Sequence, residues 1–288
     1  LTHIGGGIWT GTWRPVRAAD VVGISVTAVL IIAGGANQVG SAQLTGGLRS
    51  SPTPTVTAGG VVHGASFAAG TPIAPGSWIT VYGSNLADST NLANVSPLPR
   101  ELDGVEVLLG NRPLPLRFIS ATQMNVQVPF DLPVNTQHQI TVRRGTLLSV
   151  PEALVVAAAQ PGVFTRNQQG TGQGAIVKSD GITIADAAAP ARIGETVVIY
   201  CTGLGAVNPP VPPGEAAPAS PLSRVVNPVV VKIGGVQAAV DFAGLTPGAA
   251  GLYQINAVVP QGVALGDAVP VILEIAGQTS PVVTMAVR

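Results

Sequence analysis

The sequence predicts an all-β chain built around a duplicated unit, and three observations predict it. The alternating run Gln123-Met124-Asn125-Val126-Gln127-Val128-Pro129 returns as Gln254-Ile255-Asn256-Ala257-Val258-Val259-Pro260. With 36 Gly and 25 Pro in 288 residues, long helices are disfavoured, because Gly loosens a helix and Pro breaks it. Val, Ile and Thr are abundant and suit pleated strands, with turn residues between them. The length suits roughly two domains.

Composition narrows the function classes. Hydrophobic residues make up 46% of the chain and charged residues only 10%, against a usual ~25%. A core is readily built, and the surface must be covered by Ser, Thr, Asn, Gln, Gly and backbone. Lys and Arg (14) balance Asp and Glu (14). That balance argues against nucleic acid as a partner, since its binding needs phosphate neutralisation. It also leaves little charge repulsion against self-association. The lone cysteine, Cys201, permits no intrachain disulfide and reads as a small buried hydrophobe on a strand.

Taken in order, the chain begins Leu1-Thr2-His3 without an initiator Met, as expected of a processed or partial chain. An apolar run follows from Val21 to Ala33. As a secretory segment it would have Arg14 and Arg17 before it and Gly40-Ser41-Ala42 as a small-residue site, but Asp20 sits at its edge. As a membrane helix it falls short of ~20 apolar residues. As a strand it fits, with Val22, Ile24 and Val26 on one face and Gly23, Ser25 and Thr27 on the other. The run Val29-Leu30-Ile31-Ile32 then suits a strand covered on both faces. Residues 34–57 are rich in Gly, Ser, Thr and Pro and read as a linker. The expectation is a β arm, residues 1–59, tethered by a flexible connector.

The first repeat is expected over residues 60–160. Pro75-Gly76 is a turn before a strand in which Ile79 and Val81 oppose Trp78, Thr80 and Tyr82. Further strands follow at Gly104–Leu109, Leu114–Ile119 and Gln123–Val128, then a closing hairpin over 140–156. The second repeat, 161–288, keeps the order. Tyr200 follows Tyr82 by 118 residues and Gln254 follows Gln123 by 131. The net insertion of 13 falls in the proline-rich segment Val207–Pro221. Several short strands with turns between them predict two tandem immunoglobulin-like β-sandwiches. The Cys…Trp…Cys pattern of antibody domains is missing.

Several motifs also resemble a known family. They include Gly64-Ala65-Ser66-Phe67, Gly83-Ser84-Asn85-Leu86, Pro161-Gly162-Val163-Phe164, Thr202-Gly203-Leu204-Gly205, Gly244-Leu245-Thr246-Pro247-Gly248 and Gly251-Leu252-Tyr253. Together with the repeated strand they resemble an uncharacterised C-terminal domain family of secreted proteins from soil acidobacteria. The Pro-Gly…Gly-Ser-Asn-Leu stretch is also similar to the Ig-like group shared by plexins and some transcription factors. The resemblance covers residues 60–288 and implies an exported Ig-like pair. It brings no catalytic residues with it, and residues 1–59 lie outside it.

No constellation for chemistry stands out. His3, His63 and His138 are scattered with no metal-ligand spacing, so neither a metal nor a cofactor is expected. The aspartates lie mostly near turns, where Asp bonds its own backbone. Gly170-Thr171-Gly172-Gln173-Gly174 has phosphate-loop spacing without a strand–helix unit and reads as a turn. The amides Gln123, Asn125, Gln254 and Asn256 share one face of each strand. They are expected to be structural, satisfied by backbone where loops cross, over the alternative of a ligand strip. Asn94-Val95-Ser96 is the one N-glycosylation sequon.

The expectation is therefore a non-enzymatic extracellular or cell-surface protein that partners itself, a subunit of a fibre or sheath. Its assembly strand would be Val22, Ile24, Val26, Val29 and Ile31, added to a neighbour's sheet. The alternatives are an adhesion module binding glycan or protein through loops such as Val207–Pro221, and an accessory domain of a larger secreted enzyme.

Overall fold

A computed structural model describes residues 2–5, 8–10, 19–30, 35, 38–48 and 53–288. The fold is all-β, with no helix among the described residues and hence none there long and apolar enough to cross a membrane. Two compact units divide at Pro52/Thr53.

In the first unit, Thr2–Gly5 pairs with Ile8–Thr10. The apolar run forms the strand Ala19–Leu30, which pairs antiparallel with Gln38–Leu48. Residues 38–48 were expected to be linker, and this differs. Their Gly and Ser content masks an alternating pattern, and the partner strand satisfies the backbone groups that a free linker would leave to water. The arm is thus a ribbon already paired within its own chain. Val22 stands opposite Gly46, Ile24 opposite Leu44, Val26 opposite Ala42 and Val29 opposite Val39. Val26, Val29 and Val39 are 51%, 55% and 66% exposed. Ile31 lies outside the described residues.

The second unit, 53–288, holds two sandwiches. The first opens with the strand Thr55–His63, so it begins before the boundary expected at residue 59. One sheet runs in the order Thr55–His63, Trp78–Ser84, Gln123–Gln127, Leu116–Ile119, Asn91–Leu92. The facing sheet is built on Thr136–Arg144, which pairs with Val105–Leu109 and with Glu152–Val156. Alternation sends Ile79, Val81, Met124 and Val126 inward against Val107, Ile140 and Val142, all fully buried. In the second sandwich Val197, Ile199, Ile255 and Ala257 do the same against Val231, Val271 and Leu273.

Register verifies the repeat at single-residue level. Gln123 stands opposite Tyr82 in the first sandwich, and Gln254 opposite Tyr200 in the second. One feature breaks the symmetry. In the second sandwich the strand Val236–Leu245 pairs at its start with Val229–Ile233 and further on with Tyr253–Val258. It carries the chain from one layer to the other through a bulge between Val240 and Phe242, and its sheets are continuous. The counterpart in the first sandwich is split into Arg112–Pro113 and Leu116–Ile119. Pro113 and Pro115 explain the split, since proline has no N–H to give a ladder.

The sandwiches meet along a hydrogen-bonded seam. The Tyr253 hydroxyl, fully buried, lies 2.5 Å from Gly205 O and 3.2 Å from Pro75 O. Burial pushes its pKa well above the ordinary value, so it remains a donor. Gly76, at φ +75°, closes over it: a Cβ there would lie 2.4 Å from the hydroxyl and 2.1 Å from the Phe130 ring. Trp78 N–H donates to Thr202 Oγ1 at 2.9 Å, and Trp78 Nε1 to Ala250 O at 3.2 Å. The proline-rich insertion completes the seam. Gly214 N–H donates to Gln127 Oε1 at 2.7 Å, and Gly214 O accepts from Leu98 N–H at 2.8 Å. Ala216 N–H reaches Ser96 Oγ at 3.3 Å.

Tyr253→Phe keeps the ring and removes the donor, which strands two buried carbonyl oxygens. A loss of about 1–3 kcal/mol is expected, read as a lower urea midpoint at unchanged slope.

Candidate functional site

A concavity of the 53–288 unit lies where the sandwiches meet. It is a cleft of about 630 Å³, within the ~300–1,000 Å³ usual for small-molecule sites. Its wall in the first sandwich is the outward face of the Trp78–Ser84 and Gln123–Gln127 strands. Alternation that buries Ile79, Val81, Met124 and Val126 turns Trp78, Thr80 and Asn125 toward it. The other wall is Phe164 with the Gly248–Leu252 loop, and Ala216 comes from the insertion. Asn94, Val95 and Ser96 form an exposed rim.

The polar groups of the cleft are held by one another. Asn125 Oδ1 accepts from Gln123 Nε2 at 3.0 Å and from Thr80 Oγ1 at 3.2 Å. Two donors on the oxygen fix the amide, and its nitrogen has no hydrogen-bond partner among the described residues. Arg117 is half-buried, and its Nη1 donates to the Ala93 carbonyl. It makes no ion pair among the described residues, and the lining contains no carboxylate.

The sequence-derived residues are placed as follows. Gln254 repeats the bond of Gln123, its Nε2 donating to Asn256 Oδ1 at 3.2 Å. The Gln nitrogen bonds the Asn oxygen along each strand, where a backbone partner was expected. Backbone is taken instead by Gln127, which composition did not single out. Asn94 is exposed at the rim of the cleft. The insertion Val207–Pro221 gives Gly214 and Ala216 to the seam, and Ala216 also lines the cleft. Cys201 is fully buried, and burial raises its thiol far above the ordinary range. Asp180 and Asp186 accept from backbone N–H groups two and three residues on. Hydrogen bonds from Thr183 and from the Ile182 and Thr183 amides hold Asp180 down at about 2. No group of three or more His, Cys, Asp or Glu that could hold a metal occurs among the described residues. The signal that sequence reasoning missed is Arg117, a lone arginine in an apolar stretch.

His63 lies at the seam beside the cleft. Its Nδ1 accepts from Ala65 N–H at 3.2 Å and Ser66 N–H at 3.1 Å, and its Nε2–H donates to Gln160 O at 2.9 Å. Three partners fix the neutral tautomer. Gly162 and Gly203 pack on the ring, leaving no room for a Cβ at either position.

No family model and no curated protein matches the sequence. Among solved structures, the chain is similar to the surface glycan-binding protein SGBP-B of the Bacteroides ovatus mixed-linkage glucan locus, solved with a heptasaccharide. That match has 12% identity, covers 95% of this chain and 56% of the other, and has a TM-score of 0.36. The S-layer protein SbsC, domains 5–6, matches at 12% identity, 81% and 98% coverage and a TM-score of 0.28. The I9–I11 tandem of titin matches at 8% identity, 94% and 89% coverage and a TM-score of 0.23. The chain spans about half the length of the glycan-binding structures, 41% and 56% of them.

The place of His63 makes stability pH-dependent. Burial lowers its pKa from 6.5 to about 4, with the Gln160 carbonyl partly opposing. The unfolded chain takes up the proton near 6.5 and the folded chain resists it to about 4. This contribution is complete above that window and is lost as pH falls through it, by about 3 kcal/mol in all. Urea unfolding at pH 7 and pH 5 is expected to show the loss, and His63→Gln, less stable at pH 7, is expected to flatten the dependence.

Proposed function

We propose that this is a non-enzymatic, exported structural protein of the cell surface, a subunit that self-assembles through its N-terminal ribbon. The observation that carries the reading is the exposure of Val26, Val29 and Val39 on the Ala19–Leu30/Gln38–Leu48 ribbon. A two-stranded ribbon is marginal in water, and a third strand or a cover is needed to stabilise it. Beyond their mutual pairing, neither strand has a further partner among the described residues, so each offers an edge.

A second copy is the occupant that composition favours. The protein is neutral, with 14 basic and 14 acidic residues, and like copies barely repel. The association is edge-to-edge addition between ribbons, not donation of a single unpaired arm. Head-to-tail addition that does not close gives a filament. Two candidate reactive side chains are otherwise engaged: Cys201 is core, and His63 has its ring nitrogens occupied by backbone.

The test compares the full chain with one lacking residues 1–52, by light scattering and negative-stain microscopy. The full chain is expected to form filaments, and the truncated one to stay monomeric with a cooperative melt. Val26→Lys combined with Val39→Lys is expected to abolish filaments without deleting the ribbon. Filaments of unchanged form from the truncated chain would sink the reading.

A further inference from the structure

We propose that the cleft between the two sandwiches binds an acidic saccharide, a sugar unit carrying a carboxylate. The inference stands on the 53–288 unit alone and is independent of assembly through the ribbon.

The cleft offers each kind of contact that such a ligand needs. Trp78 and Phe164 contribute aromatic surface, which suits the apolar C–H face of a pyranose ring. Trp78 Nε1 is occupied by Ala250 O, so the indole is positioned and its remaining ring surface is apolar. Asn125 is pre-set as a donor. Gln123 and Thr80 occupy its oxygen, and its two amide N–H groups have no hydrogen-bond partner among the described residues. Those N–H groups suit sugar hydroxyls, which accept as readily as they donate. Because both donors come from neighbouring strand positions, little ordering cost remains to be met on binding.

Charge selects among sugars. Arg117 is the one charged residue lining the cleft among the described residues. One guanidinium nitrogen is anchored by the Ala93 carbonyl, which positions the group, and the rest of its fork has no ion-pair partner among the described residues. A planar carboxylate is the ligand group that such a fork matches. A phosphate-rich ligand is disfavoured, since a single guanidinium neutralises only part of its charge. A small free acid would leave the aromatic wall of a 630 Å³ cleft uncovered. Ring surface, hydroxyl acceptors and one carboxylate together describe a uronic-acid-type sugar.

The experiment is calorimetric titration of the full chain with trigalacturonic acid, with cellotriose as the neutral sugar and triglutamate as the acidic peptide. Trigalacturonic acid is expected to bind at least about tenfold more tightly than either control, the worth of one charge-assisted hydrogen bond. Asn125→Asp keeps an oxygen for Gln123 and Thr80, so the fold is retained. It removes the donor and places a negative charge in the cleft, and a loss of about tenfold or more is expected for the acidic sugar. Arg117→Gln is expected to remove the preference over cellotriose. Absence of binding at millimolar trigalacturonic acid would overturn the proposal. So would equal affinity for cellotriose or for triglutamate, or binding unchanged in Asn125→Asp with a native melt.

Discussion

The contact on which the rest depends is one buried hydroxyl. Tyr253 belongs to the core of the second sandwich, yet its oxygen reaches Gly205 O and Pro75 O, the latter in the first. Two carbonyls from different sandwiches converge on one donor, and neither has water to fall back on. Trp78, Gln127, Thr202 and Gly214 extend that lock into a seam. The seam makes 53–288 one compact unit where a tandem of independent sandwiches would flex. A cleft made from both walls keeps its shape only under that condition.

The duplicated architecture was legible because the anchor residues sit in register-determining places. Gln123 and Gln254 each face a tyrosine, Tyr82 and Tyr200, and a slip of one residue would turn the whole strand over. The seam was not legible, and the reason is instructive. Three of its residues sit where the repeats disagree. At the 131-residue offset, Tyr253 matches Thr122 and Gln127 matches Val258; at the 118-residue offset, Trp78 matches Thr196. A comparison that searches for matches passes over these positions. The insertion is the extreme case, since the net 13 residues gained in Val207–Pro221 have no counterpart and the segment supplies Gly214 and Ala216 to the seam.

The N-terminal unit was misread for a different physical reason. Gly, Ser and Thr at 38–48 signal a linker by composition, but pairing depends on alternation and on a partner of equal length. The Ala19–Leu30 strand supplies that partner over nearly its whole length. Composition also hid the split strand of the first sandwich, where Pro113 and Pro115 interrupt what Val236–Leu245 carries unbroken. In both places the local residue type mattered less than what stood opposite it.

The amides follow the same rule. Both repeats carry a Gln whose nitrogen bonds the oxygen of the Asn two residues on. This bond recurs on the outer face of each sandwich. The partner strand makes the difference. Opposite Asn125 stands Thr80, whose hydroxyl gives the oxygen a second donor, whereas opposite Asn256 stands Val198, which has none to give. Only Asn125 then has its oxygen fully engaged and its nitrogen turned over to whatever enters the cleft. One motif, duplicated with the fold, leaves a free donor in the copy that lines the cleft.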